Sequence, residues 1–312
     1  MLKAGGTYYD PQRMSSIPLI SEPQALSALL EEKRRDGALI GFVPTMGALH
    51  DGHIRLAQEI RATVDVLVVS IFVNPTQFGP KEDFATYPRD LEGDRKKLEV
   101  AGIDVLFTPT RDAMYLPGDA TRVNVSRLTE HLCGPFRPGH FEGVATVVAK
   151  FFAIVGRSHA AFGKKDFQQL AVLRRMAKDL FLPITIEAVP TVREEDGLAM
   201  SSRNAYLSAA DRTRARAIPE ALALVADAYE KGERDGETLE EVARMHLVPA
   251  VDRIDYVSVV DTLDLAPAKK IEDGKGVIAL ACHIGKTRLI DNFELGVDRT
   301  ASLGASRAAG EK

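Results

Sequence analysis

Long apolar segments alternate with amphipathic ones along the first part of the chain. Residues 38–43 and 64–73 are nearly continuous in hydrophobic side chains, many of them β-branched. Strands that are covered on both faces, as in a parallel sheet, have this pattern, whereas half-exposed strands alternate apolar and polar positions. Shorter segments at 103–107, 160–162 and 183–192 predict three further strands.

Helical spacing of apolar side chains fills the intervals between these strands. Residues 54–60, 90–101, 144–155 and 166–180 predict helices, and Asp166 stands near the start of the last one. Because strands and helices alternate with short connections, we predict an α/β fold with a Rossmann-like, doubly wound parallel sheet. Ligands of such sheets bind beyond the carboxyl ends of the strands, so candidate site residues should follow the strands directly.

The pattern changes after about residue 192. Residues 208–231 predict one long helix, with Ser208 as its N-cap and Asp211 in the favourable first turn, and residues 237–247 predict another. Strands are predicted at 254–260, 276–282 and 287–290. Helices followed by a small, antiparallel sheet indicate a separate α+β unit.

This change of pattern predicts two domains. Residues 1–191 form the Rossmann-like domain, and residues 192–312 form a smaller α+β lid domain. The loop 193–204 joins them, and ligand clefts are common at such junctions. Because residues 1 to about 15 and those from about 298 onward are rich in small or polar side chains, we expect both ends to be frayed.

Composition narrows the class of protein. The 312 residues are 45% hydrophobic and 27% charged, which is typical of a globular protein. The net charge is −4, from 40 Lys and Arg against 44 Asp and Glu, and gives no global case for nucleic-acid binding. Two cysteines, Cys133 and Cys282, are too few for a disulfide framework. These cysteines fit a reducing cytoplasm, and with this agree the N-terminus, which lacks the pattern of a signal peptide, and the apolar runs, none of which is long enough to span a membrane.

Two histidines stand between the first predicted strand and the first predicted helix. His50 and His53 lie in the run 44–53, which also contains Gly47 and Gly52. The N-terminus of a helix suits phosphate, and glycine lets the backbone approach a ligand closely. Imidazoles there can donate hydrogen bonds to a phosphate chain whose charge grows in a transition state. The alternative is that the two histidines are ligands of a metal ion such as zinc, but the sequence offers no clear third ligand at useful spacing.

A second motif, residues 163–169, lies between a predicted strand and a predicted helix. Its lysines can neutralise phosphate, and Asp166 can accept hydrogen bonds from ribose hydroxyls. The alternative is a capped helix with two solvated lysines.

Three polar loops complete the candidate chemistry. Residues 200–204 offer two hydroxyls and a guanidinium as a mobile anion clamp. Asn74 and Gln77 follow a buried strand and can orient a small polar ligand, and the glycine-rich loop 137–143 has similar promise. The alternative for each is a loop that its own side chains stabilise.

The order of these motifs is more specific than any one of them. Along the chain they are Pro-Thr-Met-Gly-Ala-Leu-His-x-Gly-His, Asn-Pro-x-Gln-Phe, Arg-Pro-Gly-His-Phe, Gly-x-Lys-Asp-x-Gln-Gln and Met-Ser-Ser-Arg-Asn. Together they closely resemble the pantoate–β-alanine ligase (pantothenate synthetase) family, over about residues 17–294. This family belongs to the H-x-G-H nucleotidyltransferases, which are relatives of class I aminoacyl-tRNA synthetases.

The resemblance implies a ligase of vitamin B5 and coenzyme A biosynthesis. Pantoate carboxylate attacks the α-phosphorus of ATP to give pantoyl adenylate and pyrophosphate, and β-alanine then gives pantothenate and AMP. It also implies Mg²⁺ beside ATP, mostly on phosphate oxygens and water. A cytoplasmic homodimer that pairs through the N-terminal domain is the expected assembly, without nucleic-acid or membrane partners.

The resemblance also implies roles for single residues. Catalysis falls to His53, His50 and Lys165, with His53 the proton donor in the family; Asp166 would hold the ribose, and Val192 the adenine through its backbone. The full ATP-binding set is Met46, Gly47, Ala48, Leu49, His50, Asp51, Gly52, His53, Gly163, Lys164, Lys165, Asp166, Val192, Met200, Ser201, Ser202 and Arg203. The set for pantoate and β-alanine is Gln77, Gln169, Asn74, Arg137 and Tyr87. Protein ligands of the metal stay unassigned.

Two positions depart from the commonest pattern of the family. Asp51 stands where glutamate is frequent, and Phe167 where tyrosine is frequent. Two other functions stay open beside the ligase. One is a different adenylyl- or cytidylyltransferase on the same fold, which would not need Gln77 and Gln169. The other is a catalytically inactive nucleotide-binding protein, in which the motifs should be eroded.

Overall fold

The computed structural model describes residues 17–80 and 82–303. Six parallel strands form its larger sheet, and three antiparallel strands form a smaller one. The predicted fold class, a Rossmann-like parallel sheet with a smaller α+β C-terminal unit, is confirmed. The N-terminal segment that the sequence predicts to be frayed lies outside the described residues.

The larger sheet shows why its strands are apolar throughout. Its strands are β1 (Leu19–Ile20), β2 (Ile40–Thr45), β3 (Val66–Ile71), β4 (Val105–Phe107), β5 (Ser158–Gly163) and β6 (Ile184–Val189). They lie in the order β1-β4-β3-β2-β5-β6. At the centre, Phe42 pairs in register with Val68 and Ala160, and all three are fully buried.

Helices cover both faces of this sheet. They are α1 (Pro23–Arg35), α2 (Asp51–Arg61), α3 (Leu91–Val100), α4 (Arg111–Met114), α5 (His140–Val155) and α6 (Phe167–Asp179). Phe42 packs on one face against Phe151 of α5, with ring centroids 5.6 Å apart. Its neighbour Val43 belongs to the core on the other face, together with Ile60 of α2. Successive residues of a strand point to opposite faces, so β2 must be apolar on both.

The strand order reverses beside β2. The chain runs from β2 to β3 and β4 on one side, and then returns to place β5 on the other side. In a doubly wound sheet the ligand crevice opens at this reversal, beyond the carboxyl ends of the two strands. His50 and His53 follow β2, and Lys165 follows β5. The topology therefore brings the two strongest motifs to one crevice.

The smaller sheet has its own apolar core. Its strands are β7 (Arg253–Asp261), β8 (Gly276–Ile284) and β9 (Thr287–Leu295), in the order β7-β8-β9. Three further helices precede it, namely α7 (Ala209–Ala215), α8 (Ala217–Glu230) and α9 (Gly236–Leu247). Leu222 of α8, Leu239 of α9 and Leu280 of β8 are fully buried in one cluster. Helices on one face of an antiparallel sheet make this an α+β unit.

The prediction of one long helix over residues 208–231 is wrong. Two helices, α7 and α8, occupy this segment, and the turn between them falls at Arg216. Pro219 explains the break, because proline has no N–H to donate to the carbonyl of Ala215 and its ring clashes with that carbonyl in a continuous helix. The predicted cap is confirmed, since the Ser208 hydroxyl accepts the N–H of Asp211 at 3.1 Å.

Other boundaries also differ from the sequence analysis. Helix α1 was not predicted, although Pro23 at its first position is a typical start signal. Helix α5 begins at His140, so part of the predicted loop 137–143 is helical. The prediction of a frayed tail from about residue 298 is wrong for its first part, because Thr300–Leu303 forms a 3₁₀ turn and the Leu303 side chain is buried in the core of the smaller unit. Its remainder, residues 304–312, lies outside the described residues.

The division of the chain at residues 191 and 192 stays a prediction, and it falls in the segment that follows β6. Within the described ranges, none of the helices combines the length and the apolar character needed to cross a membrane.

Candidate active site

One pocket, of about 240 Å³, collects most of the predicted site residues at the carboxyl ends of the central strands. A larger cavity of about 1060 Å³ adjoins it on the side of the smaller sheet, and the residues that line both include Lys165, Gln169 and Arg203. The predicted residues that line the smaller pocket are Met46, His50, Gly52, His53, Asn74, Gln77, Tyr87, Arg137, Gly163, Lys165, Asp166, Gln169, Val192, Met200, Ser201, Ser202 and Arg203. Those that do not line it are Gly47, Ala48, Leu49, Asp51 and Lys164.

The two histidines stand at the start of α2. His50 is the N-cap, His53 is the third helical residue, and their ring centroids are 4.1 Å apart. The backbone N–H of His50 donates to Nδ1 of His53 at 3.3 Å, so the proton of a neutral His53 ring lies on Nε2. Nδ1 of His50 is buried and has no hydrogen-bond partner among the described residues. A buried polar atom that lacks a protein partner and belongs to a pocket wall is a natural contact for a ligand.

Burial keeps both rings neutral. Desolvation, followed by the positive charge of Lys165, lowers the pKa of His50 to about 4. Desolvation, followed by the neighbouring His50 and by Lys165, lowers the pKa of His53 to about 3. At neutral pH each imidazole is therefore an uncharged hydrogen-bond donor, and Lys165 supplies the positive charge.

A carboxylate that the sequence analysis missed holds the turn before His50. Asp94 of α3 is 2% exposed, and its two oxygens accept the backbone N–H groups of Ala48 and Leu49 at 2.8 and 2.7 Å. These amides are consequently occupied, and the side chain of Leu49 is buried. Because Asp94 lies more than 40 residues from this turn along the chain, no local sequence pattern indicates that the two are in contact.

Glycine is required twice in this turn. Gly47 has φ of +81°, a conformation that other residues adopt at a cost, and Ala48 follows it with φ of +50°. A Cβ on Gly52 would lie 2.9 Å from the ring of His50. The two glycines therefore shape the backbone and leave room for the histidine ring.

The two adjacent lysines after β5 have different environments. Lys164 forms ion pairs with Glu294 of β9 and with Asp298, which follows that strand, and it does not line the pocket. Lys165 lines it, with Nζ 3.9 Å from Oδ2 of Asp166. The side-chain amide of Asn292, on β9, donates to the carbonyl oxygens of both lysines at 3.0 and 2.8 Å. The smaller sheet thus holds this loop.

The two adjacent glutamines of α6 also differ. Gln168 is 6% exposed, and its amide nitrogen donates to the carbonyls of Leu128 and His131, while its oxygen accepts the N–H of Cys133. Gln169 lines the pocket and makes no side-chain hydrogen bond to any described residue. Of the two, Gln169 is therefore the one that can meet a ligand.

A short 3₁₀ turn, Pro75–Gln77, follows β3; Asn74 is its N-cap and Gln77 its last residue. Asn74 is 1% exposed and donates from Nδ2 to Oε1 of Gln77 at 3.1 Å. The Gln77 amide nitrogen lies 3.1 Å from Sδ of Met46, a weak acceptor, and faces the pocket. Asn74 therefore orients Gln77.

Carboxylates of the loop after this turn engage both predicted arginines. Arg137 binds Glu82 through two nitrogens, at 2.8 and 2.6 Å. Arg203 binds Asp83 in the same way, at 3.2 and 2.9 Å. The arginines at this pocket are thus paired with protein carboxylates, and an anionic ligand must compete with Glu82 and Asp83 for them. Neither pair was expected from the sequence.

The serine-bearing loop is fixed at both ends. The N–H of Met200 donates to the carbonyl of Val192 at 2.9 Å, and the hydroxyl of Ser202 lies 3.3 Å from that of Tyr87. Asn204 is buried and donates to the carbonyl of Ala199 at 3.0 Å. Ser201 and Ser202 line the pocket, and the neighbouring Met200 brings this loop close to the start of α2, since a Cβ on Gly52 would lie 3.7 Å from that of Met200.

Comparison with known proteins identifies the family of this chain. The sequence profile of the family described as Pantoate-beta-alanine ligase matches residues 18–294. The pantothenate synthetase of Heliobacterium modesticaldum is 51% identical over 280 residues, which cover 89% of this chain and 99% of that protein. The chain belongs to the pantoate-beta-alanine ligase family. The resemblance drawn from the ordered motifs is therefore confirmed.

Solved structures of this ligase family share the fold. The pantothenate synthetase of Thermus thermophilus superposes with a TM-score of 0.84 at 44% identity, over 89% of this chain and 99% of that one. The pantoate-beta-alanine ligase of Francisella tularensis, complexed with beta-gamma ATP and beta-alanine, superposes with a TM-score of 0.73 at 33% identity, over 91% and 99%.

Proposed function

We propose that this ligase joins pantoate to β-alanine at the pocket beside β2 and β5, with ATP as the activating substrate. The products are pantothenate, AMP and pyrophosphate, and pantoyl adenylate is the intermediate. Family membership supports the reaction. One observation supports the place: a single pocket is lined by both histidines, by Lys165 and by the two amides of Gln77 and Gln169.

The first step transfers an adenylyl group. A carboxylate oxygen of pantoate attacks the α-phosphorus of ATP, and the bond to the β-phosphate bridging oxygen breaks to release pyrophosphate. Phosphoryl transfer needs in-line positioning and neutralisation of charge more than a protein nucleophile. The neutral rings of His50 and His53 donate hydrogen bonds to the phosphates, and Lys165 contributes its charge.

The second step forms the amide. The neutral amine of β-alanine attacks the acyl carbon of the adenylate, the bond to AMP breaks, and the amine proton is lost to solvent. Adenylation makes this possible, because a free carboxylate is a poor acylating agent. Gln77 and Gln169 hold pantoate through their amide nitrogens, and Tyr87 lines the neighbouring space. Asn74 acts through Gln77, because it is almost fully buried.

The two paired arginines and the serine-bearing loop bind the anionic groups of ATP and pantoate. Arg203, Ser201 and Ser202 bind the phosphates of ATP once the ligand displaces Asp83 from Arg203. Arg137 binds pantoate once that substrate displaces Glu82. Asp166 holds the ribose and Val192 the adenine. The remaining predicted ATP residues between Met46 and His53 form the turn that positions the two histidines. For Lys164 we propose only a main-chain contribution, since its ammonium is engaged by Glu294 and Asp298.

Magnesium would arrive with ATP. Within residues 17–80 and 82–303 there is no group of three or more His, Cys, Asp or Glu side chains that could hold a metal ion. Mg²⁺ commonly retains several waters and is held by substrate phosphates with one or two carboxylates, so the donor set fits an ion carried by the nucleotide. The ion would neutralise phosphate charge, and Asp166 is the predicted site carboxylate that lines this pocket.

We also propose a cytoplasmic homodimer that pairs through the N-terminal domain, and a C-terminal domain, residues 192–312, that acts as a lid. The support for these points is the family resemblance. Sedimentation of the purified chain tests the dimer.

AMP release from ATP tests the function. It should require ATP, D-pantoate and β-alanine together, and pantothenate should appear in equal amount. Release of pyrophosphate with ATP and pantoate alone, in a single turnover, would identify the adenylate step. No AMP from folded protein, or AMP with another acid in place of pantoate, would contradict the proposal and favour a different nucleotidyltransferase.

A further inference from the structure

Tyr115 lies behind the pocket and contacts the residue that orients Gln77. It follows the short helix α4 and does not line the pocket. It lines an open groove on the other side of the 3₁₀ turn, together with Thr76. Its hydroxyl donates to Oδ1 of Asn74 at 2.7 Å. A side chain outside the pocket is thus one hydrogen bond away from Asn74.

The hydrogen bonds of Asn74 fix which way its amide faces. Oδ1 is the acceptor for the N–H of Thr76 at 3.3 Å and lies 3.0 Å from the Thr76 hydroxyl, besides its contact with Tyr115. Nδ2 donates to the carbonyl of Gly143 at 3.1 Å and to Oε1 of Gln77. A flipped amide would turn its NH₂ group toward these donors and leave Gly143 without one.

The hydrogen bond from Asn74 sets the orientation of the Gln77 amide. Since Nδ2 of Asn74 donates to Oε1 of Gln77, the amide nitrogen of Gln77 must face the other way, toward Met46 and the pocket. The carboxylate of pantoate accepts hydrogen bonds and cannot donate them, so a nitrogen on this side suits it and an oxygen would repel it. The direction of this amide therefore decides whether Gln77 presents a donor or an acceptor to the carboxylate of pantoate.

Tyr115 is well held for this task. The ammonium of Lys150 lies 4.5 Å from the centre of its ring, and Phe72 packs at 6.5 Å. Desolvation raises the pKa of Tyr115, so its hydroxyl stays protonated and can donate. The Tyr115 and Thr76 hydroxyls lie 3.0 Å apart, and each also lies within hydrogen-bond distance of Oδ1 of Asn74. These three contacts have two hydroxyl protons between them, so two of the contacts can be hydrogen bonds at one time. When Thr76 donates to Tyr115, the tyrosine proton is the only hydroxyl proton that reaches Asn74.

We propose that Tyr115 is a positioning residue for pantoate, which acts through Asn74 to hold the amide nitrogen of Gln77 toward the substrate. This rests on the proposed function, in which Gln77 binds pantoate. Tyr115→Phe removes the hydrogen bond to Asn74, together with the contact to the Thr76 hydroxyl, and leaves the ring in place. The KM for pantoate should rise about three- to tenfold, which corresponds to one hydrogen bond, and the KM for ATP should stay unchanged.

A double-mutant cycle with Gln77→Ala tests the route. If Tyr115 acts through Gln77, Tyr115→Phe has little further effect on the KM for pantoate in the Gln77→Ala background. Tyr229→Phe is the matched control, because the Tyr229 hydroxyl donates to Asp273 in the smaller unit, far from the pocket. It should leave both KM values at the wild-type level.

The outcomes separate this inference from the proposed function. A raised KM for pantoate in both single variants, without additivity in the double variant, supports the inference. If Gln77→Ala raises that KM and Tyr115→Phe does not, or if the two effects add fully, the inference is wrong and the proposed function stands. If pantoate does not stimulate pyrophosphate release in the wild-type protein, or if Gln77→Ala leaves its KM unchanged, the proposed role of Gln77 fails and the inference falls with it.

Discussion

Asp94 accepts the backbone N–H of Leu49 at 2.7 Å, although 45 residues separate the two along the chain. Its other oxygen accepts the N–H of Ala48. A residue of α3 therefore fixes the turn that places His50 and His53 at the start of α2. The carboxylate is buried, so water cannot take its place.

Asp94→Asn should loosen this turn. An amide has one acceptor oxygen, so one of the two backbone N–H groups loses its partner, and the free energy of unfolding should fall by about 1–3 kcal/mol. Adenylate formation should slow as the histidines lose their fixed position. Urea unfolding and single-turnover pyrophosphate release measure the two effects. Asp90→Asn is the matched control on the same helix, because asparagine caps a helix about as well as aspartate. Equal stability of the two variants would contradict the assignment.

His53→Ala should lower adenylate formation by about 10²- to 10³-fold, the loss typical of one donor to a charged transition state. The fold should survive, because the change removes a side chain at the wall of the pocket. Single-turnover release of pyrophosphate and circular dichroism measure these effects. His159→Ala, at a partly exposed position beside Glu187, is the control and should retain wild-type activity. Near-normal turnover in His53→Ala would refute the role of His53.

The lowered pKa values of the histidines predict a loss of stability in mild acid. In the unfolded chain a histidine takes up a proton near pH 6.5, whereas the folded protein keeps His50, His53 and His140 neutral down to about pH 4, 3 and 4. Between these limits the unfolded state binds more protons, so the free energy of unfolding falls as the pH is lowered. Each histidine contributes at most about 1.4 kcal/mol per pH unit.

Urea unfolding at pH 7, 6 and 5 measures this slope. His53→Gln cannot bind the proton in either state, so its stability should depend less steeply on pH than that of the wild type below pH 6.5. Carboxylates titrate equally in both proteins and cancel in the difference. Parallel pH profiles for the two proteins would show that His53 does not stay neutral on folding.

Lys164→Met and Lys165→Met should have different consequences. Lys165→Met removes the charge at the pocket and should lower adenylate formation about tenfold to a hundredfold, the size of one hydrogen bond to a charged group. Lys164→Met leaves Glu294 and Asp298 without their cation and should lower the free energy of unfolding by about 1–3 kcal/mol with little change in the KM for ATP. Steady-state kinetics and urea unfolding of both variants suffice. A large rise in the KM for ATP in Lys164→Met would restore a nucleotide role to its side chain.

Local patterns predicted a large part of this molecule. The apolar run around Phe42 predicted a central strand because both faces of the sheet are covered, and the polar residues after it predicted the pocket because strand ends meet there. The break before Pro219 follows from an equally local rule, so the sequence contained the signal and the helix prediction passed over it.

Long-range hydrogen bonds were beyond such patterns. Nothing near Asp94 or Tyr115 in the sequence indicates that their partners are Leu49 and Asn74, because those contacts depend on how helices dock on the sheet. The difference between Lys164 and Lys165 has the same cause, since the docking of β9 and of the residues after it places Glu294 and Asp298 beside Lys164.

The two hydrogen bonds from Asn292 to the loop of Lys164 and Lys165 have a consequence for protein engineering. The smaller unit cannot be exchanged between relatives as an independent cassette, because its third strand, β9, supplies part of the scaffold of this loop. A chimera that joins two family members after β6 will need the residue at 292, and the carboxylates at 294 and 298, to match the loop that they hold. Cutting the chain there would divide one site between two fragments.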